Sequence, residues 1–267
     1  MTDRRPAHGF TAVDRQADPA AWVRTLDTMQ REPFYVAYKA RSLQLLAPQP
    51  GQRYLDIGGG AGTDARMLME TTGATAVVLD RSKTMVSEAR RRGVGLAMVG
   101  DAVALPFATG VFDGCRADRT FQHLADPEGA LRELVRVTAA GGRVVAIDPD
   151  YDTQVVDVAD QALARRVLGF RADHGLRNGT LAHRMAGLFS GAGLRDVRVE
   201  GMTLVVRDST ALDNVMGLRT WAGSAHAHGL LSAADAERWP RTLDEAIVAG
   251  HFLYAVTFFL TSGVRGT

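Results

Sequence analysis

Tyr54-Leu55-Asp56-Ile57-Gly58-Gly59-Gly60-Ala61-Gly62-Thr63-Asp64 is the stretch whose reading decides the fold. An apolar run ends in an acid and passes into a glycine-dense turn that opens a helix. Such a turn lets backbone approach a ligand where any Cβ would clash, although alone it also fits a tight strand-to-helix connection with no ligand. Working outward, short β-branched runs alternate with helical patterns. Strands are expected at Arg53–Ile57, Thr75–Asp80, Leu96–Val99, Val111–Arg116 and Arg143–Asp148, with helices near Thr63–Thr71, Ser82–Arg92 and Pro127–Ala139. Ser82 and Asp126 suit N-caps, Pro127 a first helical position, and Gly93 and Gly141 helix exits. That order predicts a doubly wound α/β sheet.

Asp80 closes the second strand 22 residues past Gly58. A carboxylate there can accept hydrogen bonds from ribose hydroxyls, and joined to the turn it points to a nucleoside-containing cofactor. Three details separate a dinucleotide from a sulfonium cofactor. The third glycine of a G-x-G-x-x-G fingerprint would fall at Thr63. The third strand ends in Gly100-Asp101-Ala102-Val103-Ala104-Leu105-Pro106-Phe107, which offers a carboxylate and a backbone N–H to an adenine edge. Asp56 puts negative charge beside the loop, unfavourable to a pyrophosphate and helpful to an amino group or sulfonium.

Composition narrows the class. The 267 residues carry 31 Lys+Arg against 30 Asp+Glu, a net charge of +1, which gives no field to hold a polyanion. Nucleic acid and a membrane surface are therefore not expected as main partners. One cysteine, Cys115, excludes an internal disulfide and a Cys-rich zinc site and fits a reducing, cytoplasmic compartment. The N-terminal MTDRRPAHG has charges but no apolar segment, and the longest apolar run, Phe252–Leu260, is too short to span a bilayer. A soluble protein is expected, with no repeat or linker cutting it into domains.

The chain resembles a class I S-adenosylmethionine-dependent methyltransferase, of the ubiquinone/menaquinone-biosynthesis-like group that acts on small molecules. The resemblance is carried by YLDIGGGAG at 54–62, VVLDRSKTM at 77–85, GDAVALPF at 100–107 and FDGCRADRTFQHLADPEGALRELVRVTAAGGRVVAIDPD at 112–150. It is weaker in RNGTLAHRMAGLFSGAGLRDVRVE at 177–200 and VTFFLTSG at 256–263. It implies a Rossmann-like seven-stranded sheet of order 3-2-1-4-5-7-6 with the last strand antiparallel, and S-adenosyl-L-methionine as cofactor. It also implies that Asp56 with Gly58, Gly60 and Gly62 holds the methionine part, that Asp80 with Arg81 beside it holds the ribose, and that Asp101 and Ala102 contact adenine. Arg119 would line the methionine side through its backbone, and an N-terminal helix would fold over the cofactor and bring Tyr38 to it. One departure is Gly59, where such proteins commonly carry a larger residue; it is expected to loosen the turn.

The resulting plan is a single domain over 1–267. Residues 1–50 form an N-terminal helical lid, 51–150 the cofactor core, 151–195 and 207–250 helical substrate-cap segments, and 196–206 and 251–262 the late strands. Methyl transfer is an in-line displacement at an activated carbon, so alignment of the acceptor and exclusion of water are the main demands. His123, past the fourth strand, is the candidate base, with Asp150 beyond the fifth strand as a second catalytic candidate. Each also has a plain reading, His123 as a packed helix-terminal residue and Asp148-Pro149-Asp150 as a turn cap. Tyr35, Tyr151, Trp221 and His226 are expected to line the acceptor pocket. No metal site is expected: His226 and His228 lie two apart, His174 and His251 elsewhere, and no acidic or Cys cluster completes a set. The expected function is O-, N- or C-methylation of a medium-sized, largely apolar small molecule in specialised or quinone-like metabolism, by a monomer or homodimer. The alternatives are a cyclase-type catalyst or cofactor-sensing protein that binds S-adenosylmethionine without methyl transfer, and, behind both, an NAD-dependent oxidoreductase.

Overall fold

The computed structural model of the chain describes residues 10, 12–207 and 217–266. Two helices, α1 (Pro19–Met29) and α2 (Pro33–Leu46), precede the sheet. Then follow β1 (Arg53–Ile57), α3 (Thr63–Thr72), β2 (Thr75–Asp80), α4 (Lys83–Arg91), β3 (Ala97–Val99), β4 (Phe112–Asp118), α5 (Pro127–Val137) and β5 (Thr138–Asp157). The last part contributes α6 (Gln161–Asp173), α7 (Met185–Gly191), β6 (Leu194–Val206), α8 (Trp221–Ala227), α9 (Ala233–Val248) and β7 (Leu253–Arg265). The strands form one sheet in the order β3-β2-β1-β4-β5-β7-β6, parallel from β3 to β5, with β7 antiparallel to both neighbours. This is the order and strand sense that the resemblance implied.

Strand alternation builds a core on each face. Tyr54, Ala76, Val78, Val145 and Ile147 turn to one side, under α2, α3, α6, α8 and α9. Leu55, Ile57, Val77, Leu79, Cys115 and Ala117 turn to the other, under α5 and α7. The same alternation puts Asp56, Arg116 and Asp118 on the first side, facing α2 and α3, and so directs three charged side chains into the interior. Cys115 is fully buried, and burial pushes its thiol up to about 12 despite a hydrogen bond with Thr138.

The caps hold the helices where expected: Ser82 Oγ accepts from Met85 N at 3.2 Å, and Asp126 Oδ1 from Gly129 N at 2.7 Å. Several boundaries differ, three of them for a clear reason. β4 runs two residues past Arg116, because Ala117 and Asp118 still pair with the neighbouring strands. α5 ends at Val137, since Thr138 is extended and pairs with Phe112, so Gly141 lies inside β5 and not at a helix exit. β5 extends to Asp157 because β7 pairs with Val155–Asp157 beyond a register shift after Asp150. Of the helical reading over 209–250, residues 209–216 lie outside the described residues; the remainder holds α8 and α9.

Candidate active site

The order in which the parallel strands are laid down reverses between β1 and β4, and a crevice opens there at the carboxyl ends of the strands. Gly58 leaves β1 at φ 62°, and a Cβ on it would overlap the Thr120 hydroxyl. That hydroxyl shares its one proton between Ile57 O (3.2 Å) and Asp118 O (3.1 Å), so one side chain ties the ends of β1 and β4 across the space the glycine leaves. Gly62 serves helix packing instead, since a Cβ there would come within 2.9 Å of Ala89 and Val94, and its absence lets α4 approach the turn. At Gly59 the room a larger residue would take is already filled. A Cβ there would crowd Asp56 Oδ2 and Val78 Cγ1 at 3.1 Å, because the Asp56 side chain already occupies that room.

Asp80 is held by backbone donors, Gly60 N at 3.0 Å and Ser82 N at 2.8 Å, which aim both of its oxygens. Burial raises its carboxyl above the ordinary range, and those two hydrogen bonds offset part of the rise.

Beneath the turn lies a buried ionic network. Lys39 of α2 bonds Asp64 and lies 2.7 Å from Asp118, and Arg116 reaches Asp64 at 2.9 Å, Asp118 at 3.1 Å and Asp56 at 3.5 Å. Burial works to raise Asp64 and Asp118, but Lys39 and Arg116 outweigh it and hold both below the usual carboxylate range. Asp56 goes the other way. Burial dominates, Arg116 offsets it only in part, its like-charged neighbours add to it, and the carboxyl is pushed up to about 7. Its Oδ1 is buried with no hydrogen-bond partner among the described residues, as is Nε of Arg119.

These groups open into one cavity of about 1080 Å³, at the upper end of the range for ligand pockets. The structure brings most of the expected residues to its wall: Asp56, Gly58, Gly60, Asp80 and Arg81 on one flank, then Asp101, Ala102, Arg119 and His123, and Tyr35, Tyr151 and Trp221 opposite. Four others lie elsewhere. Gly62 sits behind the turn. Tyr38 is fully buried and its hydroxyl donates to Asp118 at 3.1 Å. Asp150 faces away, accepting from His183 N at 2.8 Å and paired with the His183 ring at 2.7 Å, an arrangement that ties the short 3-10 turn Ala182–Arg184 to β5. His226 Nδ1 lies 2.9 Å from Leu231 O. His123 ends a short 3-10 turn, Phe121–His123, with its ring tilted against Phe10 at 6.4 Å.

The sequence reading missed the network and the strap that closes one flank. Arg116 within an apolar strand and Lys39 beside an aromatic run were the signals for the network. The strap is Val13–Arg15, whose Asp14 caps α4 by accepting from Ser82 Oγ (2.7 Å), Lys83 N (2.8 Å) and Thr84 N (3.1 Å). Phe10, Val13 and Asp14 line the cavity. Nothing local marks Asp14 as a cap, since it lies 68 residues from Ser82.

Comparison with known proteins follows the same geometry. A methyltransferase-domain family matches residues 55–146, the span of β1 to β5 that forms the crevice. The chain carries a domain of the class I S-adenosylmethionine-dependent methyltransferases. A 37.1 kDa protein in transposon TN4556 of Streptomyces fradiae is 37% identical over 84% of this chain and 66% of its own length. The ubiquinone/menaquinone biosynthesis C-methyltransferase UbiE of Cereibacter sphaeroides is 36% identical over 42% of this chain and 48% of itself. The chain thus spans 66% of the first relative and about half of the second. Among solved structures, a phosphoethanolamine N-methyltransferase 2 of Haemonchus contortus, in complex with S-adenosyl-L-methionine, superposes with a TM-score of 0.63 at 18% identity, covering 96% of this chain and 59% of that one. The shared fold extends past the matched motifs to the late strands. With the family comes its cofactor, S-adenosylmethionine.

Proposed function

We propose that this chain transfers the methyl group of S-adenosylmethionine to an O, N or C atom of a medium-sized, largely apolar small molecule. The observation that carries the reading is the cavity's continuation past the glycine turn into a wall of Tyr35, Tyr151, Phe170, Trp221 and Phe258. The residues at the other end suit the cofactor. Asp80 offers two oriented oxygens to a ribose, the unpartnered Asp56 Oδ1 suits a cationic centre, and the unpartnered Arg119 Nε suits a carboxylate. Similarity to UbiE, named for a C-methyltransferase of quinone biosynthesis, supports a quinone-like acceptor.

The cofactor supplies a methyl carbon already activated by its sulfonium. The chain's own residues align the acceptor and exclude water: the aromatic wall positions it, and Phe10 with the Val13–Arg15 strap covers the cofactor flank. His123, on the wall between the two ends, takes the proton of an acceptor hydroxyl or amine. One unit with residues 51–150 as the cofactor core and the flanking helices as its cap is consistent with the cavity's lining. Among the described residues no helix is long and apolar enough to cross a membrane.

Calorimetry should show binding of S-adenosylhomocysteine and none of NAD; the reverse result defeats the reading. Incubation of a metabolite extract with methyl-labelled cofactor should transfer label to an organic product, and tight cofactor binding without transfer would favour a non-transferring role. His123→Ala is expected to leave cofactor affinity unchanged and slow turnover about 10²-fold or more.

A further inference from the structure

The cavity is charged unevenly. The aspartates that line it all belong to the part built from the N-terminal segment, β1–β4 and the turns and helices that follow those strands. The opposite wall, from the outer end of β5, α6, the loop after it and α8, contributes no carboxylate among the described residues, and it contributes two cations, Arg171 on α6 and Arg177 in the loop after it. Arg171 lies in the last turn of α6, half-buried, its guanidinium 4.8 Å from the Tyr151 ring centre and 4.9 Å from that of Trp221. The two rings and the helix C-terminus account for the presence of a cation there. They do not account for its hydrogen bonding. Its contacts are long and to neutral oxygens, Tyr151 Oη at 3.3 Å and Gly175 O at 3.4 Å. Its Nε is buried with no acceptor among the described residues, and no carboxylate there pairs with it. A guanidinium is a planar fork made for two anionic oxygens, and leaving such a donor unmet in the interior is costly.

We propose that Arg171 is an anion subsite of the acceptor pocket, and that the acceptor is a planar, largely apolar molecule bearing one carboxylate or phosphate. The inference rests on the methyltransferase reading and refines its substrate class. Opposite charge at the two ends orients both ligands. The acidic flank takes the cationic end of the cofactor, and the anionic group of the acceptor is drawn to Arg171, away from those aspartates. Tyr151 and Trp221 hold the guanidinium plane fixed, so the group that docks on it sets the position of the rest of the acceptor.

The test uses the full chain with and without S-adenosylhomocysteine, titrated by calorimetry with 2-naphthoate, 2-naphthyl phosphate and the neutral 2-naphthamide. At least one anion should bind about tenfold or more tightly than the amide, the better one identifying the group. Arg171→Met should abolish that preference with cofactor-product affinity unchanged, and Arg171→Lys should retain part of it. The ratio of anion to amide is read within each variant, so a general loss of packing does not imitate the result. Equal binding of anions and amide, binding of none of them, a preference that survives in Arg171→Met, or a loss of S-adenosylhomocysteine affinity in that variant each overturn the proposal. Failure of the wild-type chain to bind S-adenosylhomocysteine strikes instead at the methyltransferase reading, which the apo titrations do not require.

Discussion

Asp56 and Asp80 lie at the carboxyl ends of adjacent parallel strands, yet the chain treats them differently. Asp80 is held by backbone N–H groups, which leave it oriented toward whatever enters the crevice. Asp80→Ala should weaken S-adenosylhomocysteine binding about ten- to hundredfold by calorimetry, the loss of charge-assisted hydrogen bonds; an unchanged affinity would remove it from the ribose role. Asp56 instead sits within a buried network whose like charges and poor solvation raise its carboxyl from 3.8 to about 7. The sign follows from linkage. A group with a raised folded value contributes stability that is fully present below about pH 4 and is lost as pH rises through about 7. Asp56→Asn should therefore raise the melting temperature of the cofactor-free protein more at about pH 8 than at about pH 5. A cationic cofactor end beside Asp56 favours the ionised form, so affinity should climb as pH passes about 7 in the wild type and stay flat in the variant.

At the scale of elements, the N-terminal strap and the start of α4 form one device. Burial works to raise Asp14, but hydrogen bonds from Ser82, Thr84 and Lys83 outweigh it and hold the carboxyl at about 2. Asp14 remains ionised through the physiological range, and its cap is lost only as pH falls from about 4 toward 2. Asp14→Ala should speed dissociation of S-adenosylhomocysteine in stopped-flow measurements and leave the acceptor wall intact; an unaltered rate would show that the strap does not gate the cofactor. The elements of the sheet were legible because β-branched runs, glycine turns and caps are local signals, and Ser82 and Asp126 cap where the sequence places them. The strap was not legible, because its bond to α4 joins residues far apart in sequence. Tyr38, which the resemblance would bring to the cofactor, is held away from the cavity by a similarly distant contact: its hydroxyl is taken by Asp118, a partner 80 residues away.

Across the whole molecule, one sheet carries a core on each face, and the face under α2 and α3 also buries the cations Lys39 and Arg116. Lys39, Arg116, Asp64 and Asp118 join α2, α3 and β4 at the point where the crevice opens, so the network is both a structural joint and the floor of the site. Asp64→Asn leaves two buried cations short of an anion and should cost about 3–5 kcal/mol in urea unfolding. The wild-type chain should lose this contribution as pH falls below the ordinary carboxylate range, because Asp64 and Asp118 are held beneath it. The glycine-turn end of the cavity was readable since its residues lie in compact motifs; of the aromatic end, Tyr35, Tyr151 and Trp221 were expected and line the wall, whereas Arg171, on a helix far along the chain, was not. The sealed thiol of Cys115 has a practical outcome. With that one native cysteine buried and raised to about 12, a cysteine introduced at exposed Arg15 would react alone with a fluorophore, giving an optical readout of strap movement against a silent background.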